Sequence, residues 1–173
     1  KQSEGMTSLL ITLDHRLLGI ISIADTLREG ARDAIDKIRE QGISEIWMLT
    51  GDSALVADRI GKQLGIRYEA KLLPEEKVMR VKEWKKQGQI VAMVGDGVND
   101  APALAAADIG IAMGAVGTDV AIETADIALM TDELEKIPAV VRLSRKALRV
   151  IKENLAFALV FNTIMVILSA EGW

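Results

Sequence analysis

The stretch Ile90-Val-Ala-Met-Val-Gly-Asp-Gly-Val-Asn-Asp-Ala-Pro-Ala-Leu104 decides how the chain folds. Its first five residues are all apolar, which is typical of a strand buried on both faces of a sheet. Glycines and acids then follow from Gly95 to Asp100, and a helix is predicted from about Asn99 to Ala107. We therefore expect a strand, a polar loop and a helix in direct succession, as in a parallel α/β sheet.

The same alternation of short apolar runs and amphipathic helices extends on both sides of this stretch. Gly42, Gly65 and Gly88 each follow a run with helical spacing, and Pro74 suits a first helical turn because its missing N–H has no partner there. The pattern predicts an α/β body with a Rossmann-like parallel sheet and helices on both faces. The predicted helices cover residues 29–41, 53–64, 74–88 and 119–124, and the further strands cover 43–49, a short segment near 66, 109–113 and 127–130.

The two ends of the chain differ from this body. Residues 7–23 contain two apolar runs around a short polar turn, which predicts a β-hairpin. From Asp132 one long helix is predicted, with a restart at Pro138. We therefore divide the chain into a hairpin (1–23), the α/β body (24–131), a basic amphipathic helix (132–154) and a membrane helix (155–173).

The last part of the long helix indicates a membrane. Residues 155–170 carry no charge, and they span about 24 Å as a helix, against a hydrocarbon core of ~30 Å. A helix buried in the protein is the alternative, but the basic residues just before this segment are those expected of a cytoplasmic flank. These residues are Arg142, Arg145, Lys146, Arg149 and Lys152. Residues 1–150 are accordingly expected in the cytoplasm.

Composition excludes several classes of site. The 173 residues contain no cysteine and one histidine, so disulfides, thiolate zinc sites and polyhistidine metal sites are ruled out within this chain. The net charge of −4 is too acidic for a general nucleic-acid binder, so no nucleic-acid partner is expected. Only 3% of residues are aromatic, so the core must be aliphatic.

Three segments carry the chemistry of the predicted sheet, because ligands bind outside the carboxyl ends of parallel strands. Thr50-Gly51-Asp52 offers a hydroxyl and helix N-terminal amides to a phosphate oxygen, although it also reads as an ordinary helix start. The loop with Asp96, Asn99 and Asp100 offers the oxygen ligands that Mg²⁺ prefers, whereas turn and cap roles are the alternative. Lys77 offers a cation that neutralises phosphate charge, or it is a solvated surface residue.

These parts favour phosphoryl transfer but lack an obvious nucleophile. Asp25 follows an apolar run and could serve, which would make the chain a soluble phosphatase. A role for Asp25 as the cap of a helix that begins around Arg28 is the better interpretation. A regulatory domain that binds Mg²⁺ and phosphate without turnover is the remaining alternative.

The motifs resemble those of the heavy-metal-transporting (type IB) P-type ATPases over essentially the whole chain. The resemblance is carried by four segments, which are Met48–Asp52, Leu73–Lys77, Met93–Leu104 and Gly117–Asp126. It implies a haloacid-dehalogenase-like phosphorylation domain in which an aspartate accepts the γ-phosphate of ATP. Residues 1–23 would then be the end of the nucleotide-binding domain, and Asp25 would lie in the hinge that follows.

The resemblance also assigns roles to residues. It implies that Thr50, Gly51 and Asp52 contact the phosphoryl group, that Lys77 neutralises its charge, and that Asp96 binds Mg²⁺. Asn99 and Asp100 complete this site, with Asp100 a further Mg²⁺ ligand. The implied cofactors are therefore Mg²⁺ and ATP.

The chain departs from this family at the phosphorylation motif. Asp-Lys-Thr-Gly-Thr does not occur among these residues, and neither does a Cys-Pro-Cys membrane motif. The family's first strand carries the accepting aspartate, so the sheet is expected to have a gap at its centre. The implied partners are thus the remainder of a transporter, ATP, membrane lipid and a heavy-metal ion.

The transported ion is predicted from two segments. Residues 114–118 and the segment beginning at Ser144 look more like zinc, cadmium and cobalt exporters than copper exporters. Phe161-Asn162, however, stands where copper exporters have a similar Tyr-Asn pair. Asn162 is therefore a candidate for the transport path, because polar residues inside membrane helices are often functional, with a helix–helix hydrogen bond as the alternative.

Overall fold

The computed structural model describes residues 6–14, 16–24, 27–95, 99–114 and 123–170. It confirms the α/β class, the N-terminal hairpin and the long C-terminal helix. The hairpin pairs β1 (Met6–Leu13) with β2 (Arg16–Ala24) in antiparallel register. The other elements are α1 (Ala31–Glu40), β3 (Trp47–Leu49), α2 (Ala54–Leu64), β4 (Arg67–Glu69), α3 (Pro74–Lys86), β5 (Ala92–Gly95), α4 (Ala101–Ala106), β6 (Ile109–Met113), β7 (Ile127–Leu129) and α5 (Lys136–Ala170).

The parallel strands form two sheets rather than one. β3 pairs with β4, while β6 lies between β5 and β7. Within the described ranges β3 has no other neighbour than β4, and β5 none other than β6. In this part of the chain, each of these two strands leaves one edge unpaired, which agrees with the gap expected at the centre of the sheet.

Helix α3 packs against both sheets. On one side, Trp84 contacts Trp47 of β3 with ring centroids 5.4 Å apart, and Arg80 Nε donates to Glu69 of β4 at 2.9 Å. On the other side, Val81 is fully buried in the core cluster that contains Met93 of β5. The helix thus joins two sheets that share no strand pairing in the described part of the chain.

The core cluster is aliphatic, as the composition predicts. It contains Val81, Met93, Ala103, Leu104 and Ala112, each at most 9% exposed. Gly110 of β6 has to be glycine, because a Cβ there would lie 2.9 Å from the main-chain oxygen of Leu104. Because of this close approach, α4 packs directly against β6.

Several predicted boundaries are wrong by a few residues. The strand predicted over 43–49 forms only at Trp47–Leu49, and β5 begins at Ala92, where its pairing with β6 begins, so that Ile90 lies outside the strand and is 85% exposed. α1 begins at Ala31 after Gly30, which has a left-handed φ of 78°, so the predicted cap role of Asp25 is wrong. Helix α4 begins at Ala101 because Asp100 is its N-cap.

Helix α5 differs from the prediction at its start and confirms it elsewhere. It begins at Lys136 rather than restarting at Pro138, because a proline is tolerated in a first helical turn. Every residue from Arg142 to Ala170 is exposed, so the described part of the chain does not bury this stretch of the helix. Its length and composition suffice to cross a membrane.

The core predicts a clear contrast between two leucine substitutions. Leu104→Ala should reduce the free energy of unfolding by about 2–5 kcal/mol, because Leu104 is 1% exposed and its truncation leaves a cavity. Leu55→Ala, at a position 57% exposed, should change it by less than about 0.5 kcal/mol. Urea unfolding in mild detergent, followed by tryptophan fluorescence, measures both, and equal losses would contradict this core assignment.

Candidate functional site

Lys77 and Asp100 form the central contact of the candidate site. Lys77 lies just beyond the first turn of α3, where the Leu73 N–H donates to the Glu76 carboxylate at 2.7 Å and fixes the helix start. Lys77 Nζ donates to Asp100 Oδ1 at 2.7 Å, and their side chains are 14% and 15% exposed. This is the least exposed ion pair of the described residues, whereas the pair of Lys62 with Asp58 is 75% and 38% exposed.

Asp100 is held in place by its role at the start of α4. Its main-chain oxygen accepts from the N–H groups of Ala103 at 2.9 Å and Leu104 at 2.8 Å. Its side chain lies against Gly95, where an added Cβ would lie 2.8 Å from Asp100 Oδ2. Gly95 is thus required at the end of β5, and Asp100 presents one oxygen to Lys77 while the other faces this strand end.

The Thr50-Gly51-Asp52 loop is ordered at the end of β3. The Thr50 hydroxyl donates to Asp52 Oδ2 at 2.7 Å and accepts from the Asp52 N–H at 3.1 Å. Ser53 caps α2 by accepting from the Val56 N–H. The loop therefore holds a hydroxyl beside the N-terminus of a helix, as the sequence predicted.

This loop is tied to the segment that leads into α3. The Leu72 N–H donates to Thr50 O at 3.0 Å, and the Lys71 N–H donates to Asp52 O at 2.9 Å. Lys77 follows Leu72 by little more than one helical turn. The structure thus places the first predicted loop beside the base of the helix that carries the predicted lysine, which in turn contacts Asp100.

The remaining predicted residues fall into two groups. Asp96 and Asp25 lie outside the described residues. Asn99 is exposed next to Asp100, and Asn162 is exposed on α5, about 39 Å along the helix from its first residue, so it is not part of this cluster. Among the residues that the structure describes, no group of three His, Asp or Glu side chains is placed to hold a metal ion.

The arrangement suits a phosphorylated or magnesium-bound ligand. Carboxylate oxygens such as those of Asp100 are the donor type that Mg²⁺ prefers. Gly95 leaves open the space that a β-carbon would fill beside Asp100 Oδ2. A cation with little solvent exposure interacts strongly with a nearby phosphate, because fewer water molecules screen it.

Comparison with known proteins gives the family. The family model for haloacid dehalogenase-like hydrolases matches residues 1–108. The chain belongs to this family. It spans only about a quarter of the length of the curated relatives that it matches. In one such match, 99% of this chain aligns with 24% of the relative.

The relatives of this haloacid dehalogenase-like chain are P-type ATPases. It is 48% identical over 173 residues to a probable cadmium-transporting ATPase of Staphylococcus aureus, and 44% identical over 175 residues to a probable copper-importing P-type ATPase of Enterococcus hirae, each covering 24% of the relative. It also matches a crystal structure of a zinc-transporting PIB-type ATPase with a TM-score of 0.84 and 42% identity, over 99% of this chain and 28% of that one. These similarities confirm the resemblance that the motifs indicated.

Sequence reasoning missed two features of this haloacid dehalogenase-like body. The close approach of Asp100 to Gly95 was not predicted, although a glycine directly before an acidic loop is a usable signal. The contacts of Gln41 with Pro138 and Arg145 were also missed. No local pattern reveals them, because the partners are about a hundred residues apart in the chain.

The low exposure of Lys77 predicts a measurable stability effect. Lys77→Met should lower the free energy of unfolding by about 1–3 kcal/mol, because Asp100 would be left partly buried without its partner. Lys62→Met removes an exposed ion pair and should cost less than about 1 kcal/mol.

A double-mutant cycle gives the control. When Asp100→Asn is combined with Lys77→Met, the loss should be smaller than the sum of the two single losses, because the unpaired charge is gone. Urea unfolding in detergent measures all four proteins. Additive losses would contradict a direct interaction between the two side chains.

Proposed function

We propose that this chain is the phosphorylation-domain part of an ATP-driven heavy-metal exporter of the P-type ATPases. The reaction is the transfer of the γ-phosphoryl group of ATP to an aspartate carried by another part of the transporter. The observation that carries the proposal is the contact of Lys77 with Asp100 at the end of β5, beside a loop that matches the phosphoryl-contacting motif.

The strand order supports a position at the centre of the sheet for the aspartate that accepts the phosphoryl group. A strand inserted between β3 and β5 would give the order β4-β3-strand-β5-β6-β7, which is the doubly wound order of Rossmann-like sheets. The inserted strand and β5 would then flank the point where the strand order reverses, and ligands bind there in such folds. Asp100 and Lys77 lie at the carboxyl end of β5, next to this point.

Within this arrangement each residue has a distinct role. Thr50 and Gly51 bind oxygens of the transferred phosphoryl group, and Asp52 orients the Thr50 hydroxyl. Lys77 neutralises the charge that develops on these oxygens.

The acidic loop would hold the metal cofactor. Asp96 and Asp100 are the ligands proposed for Mg²⁺, which supplies charge neutralisation when it is bound, and Asn99 completes the site. Asp100 also orients Lys77 by accepting its hydrogen bond at Oδ1.

Helix α5 would connect this domain to the membrane. Its charge-free segment from Leu155 crosses the bilayer, and its basic segment stays on the cytoplasmic side among lipid headgroups. Asn162 faces the ion path. The transported ion is zinc, cadmium or cobalt rather than copper, and the similarity to cadmium- and zinc-transporting ATPases supports the first two.

Phosphoenzyme formation tests the proposal directly. In a chimaera, these 173 residues replace the matching quarter of the S. aureus cadmium-transporting ATPase. With radiolabelled ATP and Cd²⁺ it should form an acid-stable, hydroxylamine-sensitive phosphoprotein. Asp96→Ala should reduce this product by about 10²-fold or more, because a ligand of the cofactor is lost.

Asp36→Ala is the matched control, because Asp36 lies exposed on α1 and should leave phosphorylation unchanged. If Asp96→Ala is phosphorylated as well as the unsubstituted chimaera, the role of Asp96 is wrong. If the folded chimaera forms no phosphoprotein at all, the transporter proposal itself is wrong.

Membrane insertion of α5 can be tested on this chain alone. Val160→Arg places a charge near the centre of the apolar segment and should disfavour insertion by about 2.5–3.5 kcal/mol. Ser144→Arg adds the same charge to the basic segment and should have no effect. The fraction retained in vesicles after alkaline extraction measures this, and equal retention of both variants would argue against a membrane-spanning α5.

A further inference from the structure

Helix α1 is attached at its N-terminal end to the segment before α5. Arg28 forms an ion pair with Asp132. The carboxylate of Glu135 lies over Gly30, where an added Cβ would be 2.7 Å from Glu135 Oε1. A carboxylate at this position interacts favourably with the N-terminus of α1.

The C-terminal end of α1 is attached to α5 itself. Gln41 Nε2 donates to Pro138 O at 2.9 Å, and Arg145 Nη1 donates to Gln41 O. Gln41 Oε1 is buried and has no hydrogen-bond partner among the described residues. We call the contacts of Gln41 with Pro138 and Arg145 the α1 clasp.

The α1 clasp lies between the candidate site and the apolar helix. Gln41 precedes β3, which ends at Leu49, so eight residues lie between Gln41 and Thr50, the first residue of the phosphoryl-contacting loop. On the other side, α5 is one continuous helix of 35 residues with no glycine and with its only proline in the first turn. Such a helix resists bending, so a displacement at Pro138 moves Asn162 as well.

We propose that the α1 clasp couples phosphorylation to ion movement, with Gln41 and Arg145 as positioning residues. The inference rests on the proposed transporter function. Neither residue lies in the cluster of Thr50, Lys77 and Asp100. A movement of the β3 end reaches α5 through α1, because the clasp joins α1 to Pro138 and Arg145 of α5.

The test separates coupling from catalysis in the chimaeric transporter. Gln41→Leu removes the donor to Pro138, and Arg145→Met removes the donor to Gln41. In vesicles, each variant should keep Cd²⁺-dependent ATP hydrolysis within about twofold, while Cd²⁺ transported per ATP falls about 5-fold or more, the range of a typical coupling between sites. Arg145→Lys keeps a donor and should restore most of the transport.

Matched controls come from α2 and α5. Gln63→Leu on α2 and Arg149→Met on α5 alter exposed residues and should leave the ratio of transport to hydrolysis unchanged. The inference is overturned if Gln41→Leu and Arg145→Met keep the unsubstituted ratio. It is also overturned if hydrolysis and transport fall by the same factor, which indicates a structural role only. Failure of the unsubstituted chimaera to hydrolyse ATP would instead count against the proposed function.

A second measurement does not depend on activity. Hydrogen exchange of this chain in detergent should show faster exchange of the amides at residues 138–148 in Gln41→Leu, because the first turns of α5 lose their attachment. Gln63→Leu should leave these amides unchanged. Unchanged protection in Gln41→Leu would show that the clasp does not hold α5, and would overturn the inference.

Discussion

The structure depends on the double packing of α3. One face of this helix contacts Trp47 and Glu69 of the first sheet, while Val81 fills the core of the second. Within the described residues the two sheets share no strand pairing, so side-chain packing on α3 determines how they sit together. Lys77 lies on this same helix, and its contact with Asp100 therefore aligns the ends of the two sheets as well as completing the site.

The fold could be predicted largely from local patterns. Gly65 predicts the end of α2, Pro74 predicts the start of α3, and the apolar run of β6 predicts a buried strand. The structure agrees with all three. Short strands were predicted too long, because β3 and β5 form only where partner strands are present. The periodicity of one segment contains no information on how far its partner strand extends.

The sequence predicts which residues form the candidate site, but not how these residues contact one another. Thr50 and Asp100 follow predicted strands and Lys77 lies near the start of a predicted helix, and the structure places Lys77 against Asp100. The part played by Gly95 follows only from the distance to Asp100 Oδ2. Contacts such as that of Gln41 with Pro138 depend on packing between distant segments, which a single sequence does not reveal.

The edges of β3 and β5 that have no partner among the described residues have a consequence for the behaviour of this polypeptide in isolation. Open N–H and C=O groups on a strand edge are a template for any extended segment, including one from a second molecule. Here the edges are only three and four residues long, which limits such mispairing. A strand between the two edges would form hydrogen bonds on both of its sides, whereas one that adds to a single edge forms them on one side only, so these edges favour a segment that fits between them.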